Sequence, residues 1–288
     1  MGQDLKSPGI FMGPYPSGAP VIFAGALSKL GVNTSFIGSV GNDAFGKVIL
    51  TKLKEDGVKT VKTKVWAEET TGVAFVAYFE DGSRKFIYHV SQAAAGKIGE
   101  EQIEARYLQR FNHLHVMGTA LSINEDWQRA VYKAAQVIKN AGGKISFDPN
   151  LRPEMLEIES VKEICFSILD LTDIFLPGEQ EISVFGDEDE LLEKGIEVIA
   201  IKRGSRGSTI VTEKETIDIP PFEIQEVDPT GAGDCYDAGF IKGYYEGWDW
   251  KEMGRFANAV GALAVTQRGP MEGAPTFQET IEFIGERL

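Results

Sequence analysis

The feature that most constrains this 288-residue chain is an alternation of short apolar runs with segments of helical period. Runs at 113–117, 144–148 and 198–202 are too short for helices and apolar at their centres, as strands buried on both faces must be. Each is followed by polar punctuation and then a helical pattern, the order that builds βα units. The alternation predicts an α/β fold in three layers, doubly wound around a mostly parallel sheet. Helices are expected at 20–30, 44–56, 124–141, 160–169, 231–245, 250–266 and 276–287. Strands are expected at 35–40, 113–117, 144–148, 173–176, 198–202, 208–212 and 223–227.

One stretch breaks the alternation. Residues 60–90 read strand, turn, strand, with Glu80-Asp81-Gly82-Ser83 turning between 73–79 and 84–89. The expected division is therefore an α/β core at 17–59 and 92–288, and a small β lid at 9–16 and 60–91. The lid's apolar faces need cover, either by closing over the core or by clasping a second copy in a homodimer.

Charge narrows the function. With 29 Lys+Arg against 43 Asp+Glu the chain carries −14, which excludes a phosphate-backbone binder of nucleic acid. Apolar runs stop short of a membrane span. The two cysteines, Cys165 and Cys235, have no metal-ligand spacing and form no disulfide framework, so a reducing cytoplasmic setting is expected.

The strongest motif is Asp228-Pro229-Thr230-Gly231-Ala232-Gly233-Asp234 at the start of a helix. A Gly-Ala-Gly turn there aims free N–H groups and the positive end of the helix dipole at one point, which suits a phosphoryl anion. Asp234 stands beside that point as a base for an attacking hydroxyl; by pattern alone a plain N-cap turn explains the residues equally well. Gly41-Asn42-Asp43-Ala44-Phe45-Gly46-Lys47-Val48 nearly spells a P-loop, but Val48 has no hydroxyl for Mg²⁺, and the Walker reading is rejected. His113 and His115 share one strand face without a third ligand near and read as a satisfied core pair. His89 ends the lid hairpin, where it could reach substrate. Cys165 reads as packing, whereas Cys235, at a helix N-terminus that lowers a thiol's pKa, reads as sensitive to alkylation.

From Gly9 to about residue 280 the chain resembles the ribokinase-like (PfkB type) carbohydrate kinases. The blocks that carry the resemblance come in order: Ser17-Gly18-Ala19-Pro20, Gly38 to Gly46, Asp148-Pro149-Asn150-Leu151-Arg152, Lys202-Arg203-Gly204-Ser205-Arg206-Gly207, Asp228 to Asp234 and Ala257 to Ala262. The resemblance implies a kinase that uses ATP and Mg²⁺, and it admits a monovalent cation, K⁺. It implies that Asp234 is the base, that Gly231, Ala232 and Gly233 form the anion hole, and that Arg152 assists. Lys202, Gly204, Ser205, Gly207, Thr230 and Asn258 would bind nucleotide; Gly18, Ala19, Asn42, Tyr88 and Asn150 would bind sugar. Glu181 would organise Mg²⁺ indirectly, although Gly178 stands where relatives carry the Asn of an Asn-x-x-Glu element.

Two departures follow from the resemblance. Relatives open with a buried strand ending in an acid, and nothing before Gly9 resembles it, so the copy reads as N-terminally truncated. Ile22 replaces a polar residue of the first helix. Relatives that phosphorylate 2-keto-3-deoxygluconate carry Tyr-x-Arg at the end of the lid; here Tyr88-His89-Val90 has no arginine, which favours a neutral ketohexose such as tagatose or fructose. The alternatives are a 2-keto-3-deoxygluconate, ribose or nucleoside kinase, and a non-catalytic sugar or nucleotide sensor.

Overall fold

The computed structural model describes residues 5, 8–79, 84–151 and 158–286, with backbone only for 158–162. The chain opens with α1 (Ala19–Lys29), β1 (Ser35–Gly41), α2 (Ala44–Glu55), β2 (Lys59–Trp66) and the hairpin β3 (Val73–Tyr78) and β4 (Arg84–His89). A short α3 (Ala105–Leu108) leads to β5 (His113–Met117), α4 (Gly118–Leu121), α5 (Glu125–Asn140), β6 (Lys144–Asp148) and α6 (Ile158–Leu169). Next come β7 (Ile174–Phe175), α7 (Glu179–Phe185), α8 (Glu188–Glu193), β8 (Val198–Lys202), β9 (Ser208–Val211) and β10 (Thr216–Ile219). Helices α9 (Ala232–Glu246), α10 (Trp250–Ala264) and α11 (Phe277–Gly285) close the chain.

The main sheet has the order β10-β9-β8-β7-β6-β5; β5 to β8 run parallel, and β9 is antiparallel to both of its neighbours. Along β8 successive side chains point to opposite faces. Val198 and Ala200 join one core with α1, α9 and α10, while Ile199 and Ile201 join a second with α5, α6 and α7. Both faces are therefore covered by helices, and the doubly wound arrangement expected from the alternation is present.

Two expectations on strands need correction. Residues 223–227 form no strand: Pro220 and Pro221 have no N–H to continue a ladder, and the segment is instead tied by Val227 and Asp228 N–H groups to the Val265 carbonyl. The ladder's last member is β10, which pairs with β9 just before those prolines. The second concerns β1, expected within the main sheet: it pairs in parallel with β2 in a separate two-stranded sheet, with α2 between them. The hairpin β3–β4 forms as read, its turn at 80–83 lying outside the described residues.

Between β1 and β5 lies a cavity of about 1250 Å³, lined by Phe36, Ile37 and Gly38 on one side and Leu114, His115 and Val116 on the other. It runs up to the C-terminal ends of β6 and β8 and the N-terminus of α9, where open α/β sheets place their ligands.

Candidate active site

The N-terminus of α9 is set by Asp228, whose Oδ1 accepts the Thr230 N–H and Oδ2 the Gly269 N–H, each at 3.0 Å. This holds the loop so that Gly231 caps the helix at φ 87°, ψ −4°, a left-handed conformation in which a side chain would also overlap the Pro270 carbonyl oxygen. Behind the cap, the Ala232 N–H makes only a long 3.5 Å contact to the Pro229 carbonyl, so the first turn keeps donors for an anion. Gly231, Gly233 and Asp234 all line the cavity, and Asp234 is buried there.

Asp234 is held by Asn150, whose Nδ2 donates to its Oδ1 at 3.2 Å. Asn150 stands at φ 40° just after β6, its N–H donating to Asp148 Oδ1 at 3.0 Å. Because the amide nitrogen must face the carboxylate, the amide oxygen points elsewhere; Asn150 Oδ1 is buried without a hydrogen-bond partner, an acceptor left for a hydroxyl donor. Gly18, Ala19, Ser39, Thr71 and Tyr88 line the same cavity. Gly18 caps α1, its carbonyl accepting the Val21 and Ile22 N–H groups.

The lid hairpin closes one wall. By the two-residue period Arg84, Phe86 and Tyr88 face the cavity and Lys85, Ile87 and His89 face away. His89 is exposed and packs edge-on to Phe75, so it does not reach the site. Phe86 and Tyr88 stack with ring centroids 5.5 Å apart, and the Thr230 hydroxyl lies 3.0 Å from that of Tyr78 and 3.4 Å from Arg84 Nη1.

Lys202 ends β8 with its ammonium 2.8 Å from Asp148 Oδ2 and 3.0 and 3.1 Å from the two oxygens of Asp237. The sequence marked Lys202 as a nucleotide residue; in the structure its side chain is spent on this internal cluster. Burial works against its charge, but Asp148 and Asp237 hold its pKa above the usual lysine value. Asp237 is pushed well up by burial, with Asp148 adding to the shift against the opposing Lys202. Glu181 takes the third position of α7: its oxygens accept the Leu151 and Gly178 N–H groups, both at 2.6 Å. Burial and the nearby Asp148 raise its pKa. Sequence reasoning missed Asp237, though the Asp234-x-x-Asp237 spacing does put both on one helix face.

Of the residues the sequence marked for nucleotide, Gly204 and Ser205 form an exposed single-turn connection closed by the buried Gly207, outside the main cavity. Asn258 is buried and spends its Nδ2 on the Ile219 and Pro220 carbonyls at 3.3 and 3.0 Å, fixing the rim where Pro220, Pro221, Phe222, Glu223 and Arg255 line a second cavity of about 350 Å³. Asn42 is exposed, bonded through its N–H to Trp66, and does not line the main cavity; Asp43 beside it caps α2 and holds Thr71. Arg152 lies outside the described residues. Cys235 is fully buried and burial pushes its thiol up, the reverse of the activation expected at a helix start. His113 Nε2 and His115 Nδ1 both meet Ser146 Oγ at 2.7 Å, and burial lowers both imidazoles, His113 to about 4.

The sequence matches the family model described as pfkB family carbohydrate kinase over residues 12–277. It is similar to 2-dehydro-3-deoxygluconokinase of Bacillus subtilis, at 30% identity over 93% of this chain and 86% of that one. Fructokinase of Vibrio alginolyticus is 30% identical over 94% and 92%. A solved E. coli protein provisionally called Ribokinase II, in complex with ATP and Mg²⁺, superposes with a TM-score of 0.92 at 39% identity, covering 99% of this chain and 93% of that one.

Proposed function

The chain belongs to the pfkB family of carbohydrate kinases and is a sugar kinase, and from that premise we propose that it transfers the γ-phosphoryl group of ATP to a hydroxymethyl group of a neutral ketohexose, of the tagatose or fructose type. The observation that carries the reading is the pair Asn150 and Asp234: a buried carboxylate at the anion turn, held at 3.2 Å by an amide whose own oxygen waits for a hydroxyl. A sugar hydroxyl seated between them would donate to Asp234 and come into line with a phosphoryl group on the Gly231–Gly233 amides. Asp234 takes the proton as the new O–P bond forms and the bond from the γ-phosphorus to the β–γ bridging oxygen breaks, that oxygen leaving on ADP, while the anion turn takes the charge that develops on the equatorial oxygens.

The donor set suits Mg²⁺ brought by the triphosphate. Among the described residues no three His, Cys, Asp or Glu side chains form a metal cage, and both Glu181 oxygens already accept N–H groups. Such a carboxylate would act on the ion indirectly, and Mg²⁺ bound to ATP would supply neutralisation of the β- and γ-phosphate charge. A K⁺ requirement is read by exchanging K⁺ for Na⁺ in the assay. A cytoplasmic homodimer joined through the exposed lid residues Val61, Val65, Phe75 and Ile87 completes the proposal.

Neutral substrate is favoured because Val90, which lines the cavity at the lid's end, offers a carboxylate no charge-assisted hydrogen bond, an interaction worth about 1.5–3 kcal/mol. One observation favours 2-keto-3-deoxygluconate instead: Arg84 lines the same cavity from β4. The test is kcat/KM for tagatose, fructose, ribose and 2-keto-3-deoxygluconate side by side. A preference for a ketohexose supports the proposal, preference for the keto acid moves the assignment to Arg84, and binding without ADP release makes the protein a sensor.

A further inference from the structure

The cluster behind the anion turn does more than hold elements together. Lys202 is the ammonium that faces Asp148 and Asp237, with side chains 15%, 3% and 0% exposed, and a Cβ placed on Gly233 would lie 3.8 Å from its Nζ. The charge therefore sits directly beneath the anion turn. From it a chain of contacts runs to the base: Lys202 to Asp148 Oδ2, Asp148 Oδ1 to the Asn150 N–H, and Asn150 Nδ2 to Asp234 Oδ1. A second arm runs through Asp237, one turn after Asp234 on α9. A buried ion cluster is a poor source of stability, since apolar residues of equal volume commonly serve as well, so its place at the reacting centre calls for another reason.

We infer that Lys202 is a positioning residue for phosphoryl transfer, fixing Asp234 through Asp148 and Asn150 and offsetting the repulsion between that carboxylate and an incoming triphosphate. The inference rests on the reading of Asp234 as base. The groups facing the ammonium are Asp148 from β6, Tyr236 and Asp237 from α9, Glu181 from α7 and His115 from β5. Burial keeps Tyr236 and His115 neutral, so the response to pH near neutrality comes from the carboxylates.

The experiment measures kcat, both KM values and the pH profile of kcat/KM for the wild type, Lys202→Met, Lys202→Arg and Asn150→Ser. Lys202→Met is expected to lower kcat about 10²-fold with little change in the KM for ATP. It should also move the acid limb of the profile up by about one pH unit, because an opposite charge near the carboxylates is gone. Lys202→Arg should restore the acid limb. A folded Lys202→Met enzyme with wild-type kcat and acid limb overturns the inference. Should Lys202→Met not fold, Asn150→Ser breaks the last link without touching the ions, and an unchanged kcat there overturns it equally. Failure of the underlying reading looks different: Asp234→Asn would keep its turnover.

Discussion

The Tyr78 hydroxyl, at the end of the lid's first strand, donates to Asp228 Oδ1 at 2.9 Å, joining residues 150 positions apart in sequence. Asp228 is the residue that fixes the loop into the anion turn, so the lid docks on the element that would receive phosphate. Tyr78→Phe removes the bond and keeps the ring. We expect the sugar KM to rise about tenfold, the equivalent of roughly 1.4 kcal/mol, and amide exchange in 73–79 and 84–90 to quicken. Unchanged exchange with an unchanged KM would show that the contact does not govern closure.

That contact also has a pH signature. Burial alone would raise the Asp228 pKa, but the Thr230 and Gly269 N–H groups and the Tyr78 hydroxyl hold it below the usual carboxylate value. Asp43, capping α2 and holding Thr71, is lowered in the same way against its own desolvation. A carboxyl depressed in the folded state stabilises fully above its unfolded pKa, near 4, and that stability is lost as pH falls through the folded value. The melting temperature should therefore fall between about pH 4 and pH 2, with a shallower fall in Asp228→Asn and Asp43→Asn. Equal acid sensitivity in both variants and the wild type would remove these two groups from the account.

Asp234→Asn keeps the shape of the site and removes the proposed base. Turnover should drop by about 10² to 10⁴ while nucleotide binding, read by calorimetry, persists. Lys47→Ala is the companion control: Lys47 is exposed on α2 and lines neither of the two cavities described, so the KM for ATP should hold. Near wild-type kcat in the first variant, or a large loss of ATP affinity in the second, would reverse the assignments of Asp234 and of the rejected P-loop respectively.

The sequence carried the strands at 113–117, 144–148 and 198–202 to the residue, because each is a run buried on both sides and bounded by turn residues. It misplaced the last strand, since Phe222 and Ile224 imitate alternation while the two prolines before them deny the ladder its donors. The anion turn and Asp234 were legible because they are contiguous. The contacts of Lys202 with Asp148 and Asp237 were not, because they come from three elements that only the sheet order brings together. Cys235 was misread for a related reason: helix-start chemistry is local, but burial under α1 and α10 is tertiary, and burial prevails. Native protein should accordingly resist iodoacetamide at both cysteines, with Cys165 pushed up to about 12 as well, and labelling of Cys235 in the folded state would contradict this.

The anion turn itself is testable through two glycines in the same backbone region of conformational space. Gly231 (φ 87°) and Gly204 (φ 57°) both sit where an L side chain is strained, at a cost of about 1–2 kcal/mol. Their surroundings differ. A Cβ at Gly204 meets nothing within 4 Å, whereas at Gly231 it overlaps the Pro270 carbonyl oxygen and comes within 3.3 Å of the Ile22 side chain. A backbone oxygen cannot step aside cheaply, so Gly231→Ala must shift the loop that aims the first-turn amides. We expect Gly204→Ala to lower the melting temperature by a few degrees and leave kcat within about twofold. Gly231→Ala should destabilise more and lower kcat at least 10²-fold, the loss typical of removing one donor from an oxyanion-type site. Equal kcat losses in the two variants would mean that backbone strain, and not the aim of the Gly231 turn, sets the rate.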